Sequence, residues 1–454
     1  MRLFELLFIV TTVVLLGGIT FKLESLKQYK KIILSAEIVV LILSLVVDGY
    51  RWQLLPVYVL SFVINLVLLL SKNKTCIKKN STIKVILKVA STIVVTVAVL
   101  APFYMFPIFN FPVPTGQYKV GTKSIMLTKN KNQLTEKDMM IQFYYPADKE
   151  SSKKADYSTD IEALRHELAR TQGMPNIVTG HLKYIKTHSY LDAKVVSDKK
   201  FPLLIFSHGM TLYNRQNTFQ LEELASHGYV IAAVNYTKDS ANTLFPTKEY
   251  VPYEEKELTL DYLDTHNLEW QSDATFVLDT LLNEKNIEFD SVLNQVETEK
   301  IGAFGHSYGG ATSTHLLIED ARVKAAINMD GGFYGQEIKP GDIKKPFMLM
   351  NASDTMRNMQ EGTDPLFEEC LIRNDHVNQP GVYKLLLPNT DHGSFIDLAG
   401  FSPLVAVKDA NYKKTFDTIN QLSLGFFDKN LKGENQKAVD DYLKERSQIK
   451  VDRY

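Results

Sequence analysis

The chain has 454 residues, too many for one small domain at the usual ~100–200 residues each, so two or three units are expected. Its 51 basic and 52 acidic residues leave a net charge of −1, which gives nucleic acid no electrostatic footing as a partner. The two cysteines, Cys76 and Cys370, exclude a disulfide framework and any cysteine-based zinc site.

A mean hydropathy of −0.11 conceals two unlike parts. The N-terminal part holds four apolar runs, Leu3–Phe21, Ile32–Val47, Leu54–Leu70 and Val89–Phe106. A spanning helix needs about 20 apolar residues, so these predict a four-helix transmembrane anchor over residues 1–107. The second run is short and would borrow Tyr50 and Trp52 as interfacial anchors. A cleavable signal peptide is the competing reading of the first run, but no small-x-small site follows it.

Charge between the runs gives an orientation. Lys22, Lys27, Lys30 and Lys31 follow the first run, and Lys72, Lys74, Lys78, Lys79 and Lys84 surround the third break, whereas the second break holds only Arg51. The positive-inside rule then puts the first and third loops in the cytoplasm and everything after about residue 108 outside it. Cys76 and Cys370 would lie on opposite sides of the membrane. Glu37, six residues past Lys31, is expected to snorkel to the cytoplasmic interface. Lys- and Asn-rich loops and the plain architecture suggest a bacterial envelope protein.

Pro107, Pro112 and Pro114 end the fourth run and give a stiff exit into a second part, residues 108–454. Ser124–Thr128 and Met139–Tyr145 suggest an opening antiparallel pair. Candidate strands follow at Phe201–Phe206, Tyr229–Asn235, Ile301–Phe304, Val323–Asn328, Phe347–Asn351 and Tyr383–Leu387. Candidate helices are Ile161–Arg170, Thr218–His227, Ala274–Asn283, Ala311–Asp320 and Thr415–Leu431. Nearly continuous apolar strands alternating with helices predict an α/β, doubly wound, mostly parallel sheet covered on both faces. Between Tyr236 and Asn267 the periodicity fails. Phe245, Tyr250, Tyr253 and Leu263 are scattered there, as in a lid or binding loop with an apolar rim.

The most informative stretch is Lys300-Ile301-Gly302-Ala303-Phe304-Gly305-His306-Ser307-Tyr308-Gly309-Gly310-Ala311. An apolar run leads into Gly-x-Ser-x-Gly, and a helix opens directly after it. That is the pattern of a nucleophile on a sharp strand-to-helix turn, as in the α/β-hydrolase fold, with the helix N-terminus favouring negative charge at Ser307. An activated serine also needs a base, an orienting acid and an oxyanion hole. In chain order the acid and then the histidine follow the serine. Only His315, His376 and His392 come after Ser307. His315 lies two turns down the nucleophile helix and His376 follows no strand. His392 follows the last apolar strand, so it is the expected base. Asp330 and Asp354 each follow a strand and are both open as the acid. Backbone N–H groups of Tyr308, after the nucleophile, and Met210, in Ser207-His208-Gly209-Met210 after an early strand, are the expected oxyanion donors. His208 precedes the serine, so a bracing role is expected of it.

These segments, with Ala225-Ser226-His227-Gly228-Tyr229-Val230-Ile231-Ala232-Ala233-Val234 and the entry Pro114-Thr115-Gly116-Gln117-Tyr118-Lys119-Val120-Gly121, resemble the plasma-type platelet-activating factor acetylhydrolase family and its bacterial relatives. The resemblance covers roughly residues 107 to 400 and not the apolar head. It implies Asp330 as the acid, with Asp354 as the alternative, and Met210 as the second oxyanion donor. It also implies calcium-independent hydrolysis of short or oxidised acyl chains on phospholipids. The four-helix head and the Asp330-Gly331-Gly332 context depart from the animal enzymes. The expectation is thus an integral membrane serine esterase acting on lipid or other small acyl esters, with no metal or organic cofactor. A general carboxylesterase or polyester-type hydrolase is the alternative on the same scaffold. A catalytically inactive, membrane-tethered binding protein is the reading from another class.

Overall fold

In the computed structural model the chain forms two compact units, residues 1–108 and 109–454. The structure describes residues 2–21, 28–70, 82–129, 137–149, 153–283, 289–362, 364–379, 381–406, 408–409, 411–435 and 437–453. Cys76 and the loop lysines Lys22, Lys27, Lys72, Lys74, Lys78 and Lys79 lie outside the described residues.

The first unit contains the apolar helices Leu3–Thr20, Lys30–Leu43, Leu55–Leu70 and Thr82–Met105. Among the described residues three segments are long and apolar enough to cross a membrane: Leu3–Thr20, Trp52–Leu70 and Lys88–Met105. The second run is not among these three. Its α-helix has 14 residues and passes into a π turn, Ser44–Asp48, which ends at Gly49 with φ 79°.

Glu37 corrects the sequence reading. It does not reach an interface but is 2% exposed, inside the unit. Its carboxylate accepts hydrogen bonds from Thr12 Oγ1 (3.1 Å), Ser61 Oγ (2.9 Å) and Asn65 Nδ2 (2.9 Å). Two neighbouring helices thus turn polar side chains toward a carboxylate whose burial without partners would cost far more than that of a neutral polar group. At another point Glu5 and Arg51, both nearly inaccessible, pair at 3.2 Å.

The second unit is built on an eleven-stranded sheet. Its strands in chain order are β1 (Lys119–Lys129), β2 (Lys137–Ala147), β3 (Lys154–Asp156), β4 (Lys186–Leu191), β5 (Phe201–Ser207) and β6 (Val230–Asn235). A two-stranded hairpin, β7 (Thr243–Leu244) and β8 (Tyr250–Val251), stands apart from it. Then come β9 (Val296–His306), β10 (Val323–Met329), β11 (Phe347–Ala352), β12 (Val382–Leu387) and β13 (Lys450–Arg453). The spatial order is β13-β12-β11-β10-β9-β5-β6-β2-β1-β4-β3. The six strands from β12 to β6 run parallel, flanked by antiparallel β13 on one side and by antiparallel β2 on the other.

Successive residues of a strand point to opposite faces, and the buried side chains divide accordingly. Leu204 and Phe206 join Phe219, Phe416, Ile419 and Phe426 on one face, whereas Leu203 and Ile205 join Trp270, Val277 and Leu281 on the other. Both faces are therefore cores, and the α/β expectation agrees with the structure. The exit segment from the head belongs to this unit. Phe109 and Phe111 are 3% exposed, and the Phe109 ring lies 5.1 Å from that of Phe401, in the segment just after His392.

The strand order fixes where a site can form. From β5 the chain winds outward to β6, then returns through helix Leu260–Asn283 to place β9 on the other side of β5. Loops leaving β5 and β9 thus diverge, opening a crevice at the carboxyl ends of these strands.

Candidate active site

Ser307 stands at that crevice. It caps helix Tyr308–Glu319 with φ 55° and ψ −123°, a strained conformation for a residue with a side chain, and is half-buried. Its N–H donates to Met329 O at 2.9 Å, which ties the turn to β10. The flanking glycines are dictated by distance. A Cβ on Gly305 would stand 2.2 Å from Gly309 O, and one on Gly309 would stand 2.1 Å from Ser207 O.

The loop after β5 closes the other side. A Cβ on Gly209 would lie 3.3 Å from Ser307 Cβ, so this backbone is in contact with the nucleophile turn. The Gly209 N–H is occupied by Gln216 Oε1 at 3.0 Å, and the Thr211 N–H by Asp239 O at 3.0 Å. Between them, the Met210 N–H has no partner among the described residues, and neither does the Tyr308 N–H at the helix start. His208 braces this loop. Its Nδ1 donates to Gly209 O at 2.7 Å, which leaves Nε2 to accept from the Tyr236 N–H at 3.2 Å. Burial lowers its pKa to about 4, so it remains neutral and structural.

Of the two candidate acids, the structure brings only Asp330 to His392. Asp330 follows β10 with φ 54°, and its Oδ2 lies 2.8 Å from His392 Nδ1. The carboxylate is further held by the Ala352 N–H on Oδ1 (2.7 Å) and by Thr355 Oγ1 on Oδ2 (2.7 Å). Its side chain is 1% exposed, against 49% for the imidazole. Asp354 instead pairs with Arg357 in the first turn of helix Ser353–Glu361. Thr355 and the Ala352 N–H had no signal in the sequence, because their role depends on how β11 returns beside β10.

The other two histidines are structural. His376 ends helix Pro365–His376 and bonds Ile338 O at 2.8 Å. His315 is buried in the nucleophile helix, and burial lowers its pKa to about 4. This has a measurable consequence. A histidine whose folded pKa lies below its unfolded value of about 6.5 contributes stability that is complete above that pH and is lost as pH falls through the folded value. Replacing His315 with glutamine removes this dependence. The stability of the variant relative to wild type should therefore improve by about 3 kcal/mol between about pH 7 and about pH 4. Chemical denaturation of both proteins at the two pH values checks this, and a constant difference would contradict it.

The segment Tyr236–Asn267 is not an apolar rim. Phe245, Tyr253 and Leu263 are 7%, 7% and 5% exposed, so these side chains face inward. Helix Leu260–Asn283 begins well before the expected Ala274 and is pinned to the nucleophile helix, with Tyr308 Oη donating to Leu263 O at 2.7 Å. Beneath it Asp239 gathers His266 Nε2 (2.8 Å), Trp270 Nε1 (2.9 Å) and the Lys256 ammonium. These partners hold the Asp239 pKa down at about 2 despite its burial.

Comparison with known proteins identifies the family and the fold. Residues 104–277 and 272–448 match the family model of platelet-activating factor acetylhydrolase, isoform II. The platelet-activating factor acetylhydrolase of Cavia porcellus is 23% identical over 361 residues, covering 71% of this chain and 78% of that protein. That of Canis lupus familiaris is 25% identical over 253 residues, so the match spans 55% of its length and 49% of this chain. A protein of Arthroderma benhamiae named "Probable 1-alkyl-2-acetylglycerophosphocholine esterase" is 22% identical over 334 residues, covering 68% of this chain and 82% of its own length. Among solved structures, the ferulic acid esterase from Streptomyces cinnamoneus superposes with a TM-score of 0.60 at 22% identity. It covers 76% of this chain and 99% of its own, and so shares the fold. With the family model spanning most of residues 104–448 of 454, the chain belongs to the isoform II family of platelet-activating factor acetylhydrolases.

Proposed function

We propose that the chain is a membrane-anchored serine esterase of the α/β-hydrolase fold that cleaves short or oxidised acyl esters of phospholipids. The observation that carries the reading is the 2.8 Å contact between His392 Nδ1 and the buried Asp330 carboxylate, at the same sheet edge as Ser307. Asp330 holds the proton of His392 on Nδ1, so that Nε2 is the free base. Nε2 takes the hydroxyl proton as Ser307 Oγ attacks the ester carbonyl, and the developing oxyanion accepts from the Met210 and Tyr308 N–H groups. The imidazolium then protonates the departing alcohol, and a water activated by the same nitrogen releases the acid and restores the serine. Asp354, paired with Arg357, has no step in this scheme.

The substrate class rests on the relatives, one named an acetylhydrolase of platelet-activating factor and another a probable esterase of 1-alkyl-2-acetylglycerophosphocholine. The anchor rests on the three long apolar helices; a catalytic unit outside the cytoplasm further requires the short second run to cross as well, so that both lysine-bearing breaks face the cytoplasm. A body held at a bilayer meets acyl chains that must first leave it, at about 0.8 kcal/mol per CH₂. Palmitoyl carries about fourteen more methylenes than acetyl, a difference of about 11 kcal/mol in that cost, so an acetyl ester should be turned over far faster than its palmitoyl counterpart. The measurement is hydrolysis of matched acetyl and palmitoyl p-nitrophenyl esters and phospholipids in vesicles by the full chain. Equal turnover of the two acyl groups would sink the short-chain reading, and activity confined to water-soluble esters would sink the lipid one.

A further inference from the structure

His392 belongs to a loop, and Asp330 fixes its imidazole at one atom only. The residue opens a single 3₁₀ turn, His392–Phe395, and its side chain is half exposed. A second hold comes from His306, the variable residue before the nucleophile in Gly-x-Ser-x-Gly. Its side chain is fully buried, and Nε2 lies 3.1 Å from the main-chain carbonyl oxygen of His392. A carbonyl only accepts, so the proton of His306 sits on Nε2 and Nδ1 is a bare lone pair. The two imidazole rings are 4.5 Å apart, and the Phe395 ring lies 6.3 Å from that of His306. On its other side, Nδ1 would be 3.1 Å from a Cβ on Gly209 and has no hydrogen-bond partner among the described residues. The ring is therefore wedged between the loop that carries the base and the loop that carries an oxyanion donor.

We propose that His306 is a positioning residue for ester hydrolysis: it latches the His392 main chain to the strand that ends at Ser307, and its ring spaces that loop from the Gly209–Met210 turn. The inference rests on the Ser307–His392–Asp330 reading. The latch is stiff because His306 is the last residue of β9, so nucleophile and base are referred to one element rather than to two independent loops. A shift of about 1 Å in a reacting group can lower a rate by about a hundredfold, so a latch of this kind acts on turnover. The charge balance agrees with the role. Among the described residues, Asp330 and His306 are titratable groups in contact with His392, and burial next to His392 drives the proton affinity of His306 far below the ordinary histidine range. It therefore stays neutral, and no second cation opposes the imidazolium that forms on His392.

The test compares three variants of the full chain in membranes. In His306→Gln the amide N–H can occupy the place of Nε2. In His306→Asn the amide is too short to reach the His392 carbonyl, and His306→Phe keeps a ring without a donor. We expect the Asn and Phe variants to lose about 10–100-fold in kcat with KM changed by less than about threefold, and Ser307 to react correspondingly more slowly with a fluorophosphonate probe. The Gln variant should recover most of both rates. Asn and Phe variants within about twofold of wild type would overturn the proposal, as would a Gln variant as slow as the Phe variant at unchanged thermal stability. If the Phe variant does not fold, the Asn and Gln pair decides alone. A parallel Ser307→Ala arm separates the failures: activity surviving there ends the esterase reading and the latch with it. An inactive Ser307→Ala beside unaffected His306 variants ends the latch only.

Discussion

Ser307→Ala should lower ester turnover by about 10⁶, while leaving the stability of the chain close to wild type. The reason lies in the turn itself. The backbone strain at φ 55° is imposed by the meeting of β9, helix Tyr308–Glu319 and the β5 loop, and none of those contacts uses the hydroxyl. Removing Oγ deletes the atom that would form the acyl-enzyme and leaves the cleft and its N–H donors in place. What survives is the catalysis that preformed donors give to attack by water, about 10³–10⁴ over the uncatalysed rate in the related protease case. Hydrolysis of a short-chain ester and labelling by a fluorophosphonate probe measure the two consequences separately. Even a tenth of wild-type turnover in the variant would rule out the covalent mechanism.

The second large effect is expected at Asp330, where an amide in place of the carboxylate should cost about 10⁴ in kcat. The surrounding donors dictate this outcome. The Ala352 N–H can only donate and faces Oδ1, so in Asp330→Asn that place must go to the amide oxygen. The amide NH₂ then replaces Oδ2, facing Thr355 and His392 Nδ1. The threonine hydroxyl can rotate to accept. The imidazole can accept only by moving its proton to Nε2, where it no longer serves as a base toward Ser307. Asp354→Asn is the matched control. It loses an ion pair with a half-exposed Arg357, of a kind worth about 0–1 kcal/mol, and turnover should stay near wild type. A large loss in Asp354→Asn with little in Asp330→Asn would reverse the assignment.

Sequence and structure agree where burial is two-sided and disagree where it is not. Strands such as Phe201–Ser207 and Phe347–Ala352 are legible because both faces are covered and nearly every residue is apolar. Strands Lys154–Asp156, Lys186–Leu191 and Lys450–Arg453 leave no such trace, being short or polar and at or next to a sheet edge. Helix Leu260–Asn283 was half hidden for a different reason. The inward side of its first turns is built from Leu263, His266, Asn267 and Trp270, whose polar atoms are satisfied by tertiary partners. No periodicity in hydrophobicity announces such a face. Helices Ser353–Glu361 and Pro365–His376 are similarly faint, the first having no buried residue at all.

At the site, Ser307 and His392 follow from motif and chain order. The choice between Asp330 and Asp354 does not, since both end strands and the deciding approach comes from β11 folding beside β10. Glu37 is the clearest misreading. Six residues from a lysine, it has a plausible route to an interface, and only the crossing of helices brings Thr12, Ser61 and Asn65 to it.

The aromatic exit segment bears on where this protein can be divided. Composition puts the seam at about residue 108, within a proline-rich exit that runs on to Pro114 and could be taken for a linker. Yet Phe109 is seated against Phe401 and Phe111 against Tyr157, and the match to the family model already begins at residue 104. These two rings therefore pack as part of the second unit. A soluble form designed at the prolines would leave two vacant sockets beside the segment that follows His392. One that starts at Phe109 carries its own plugs.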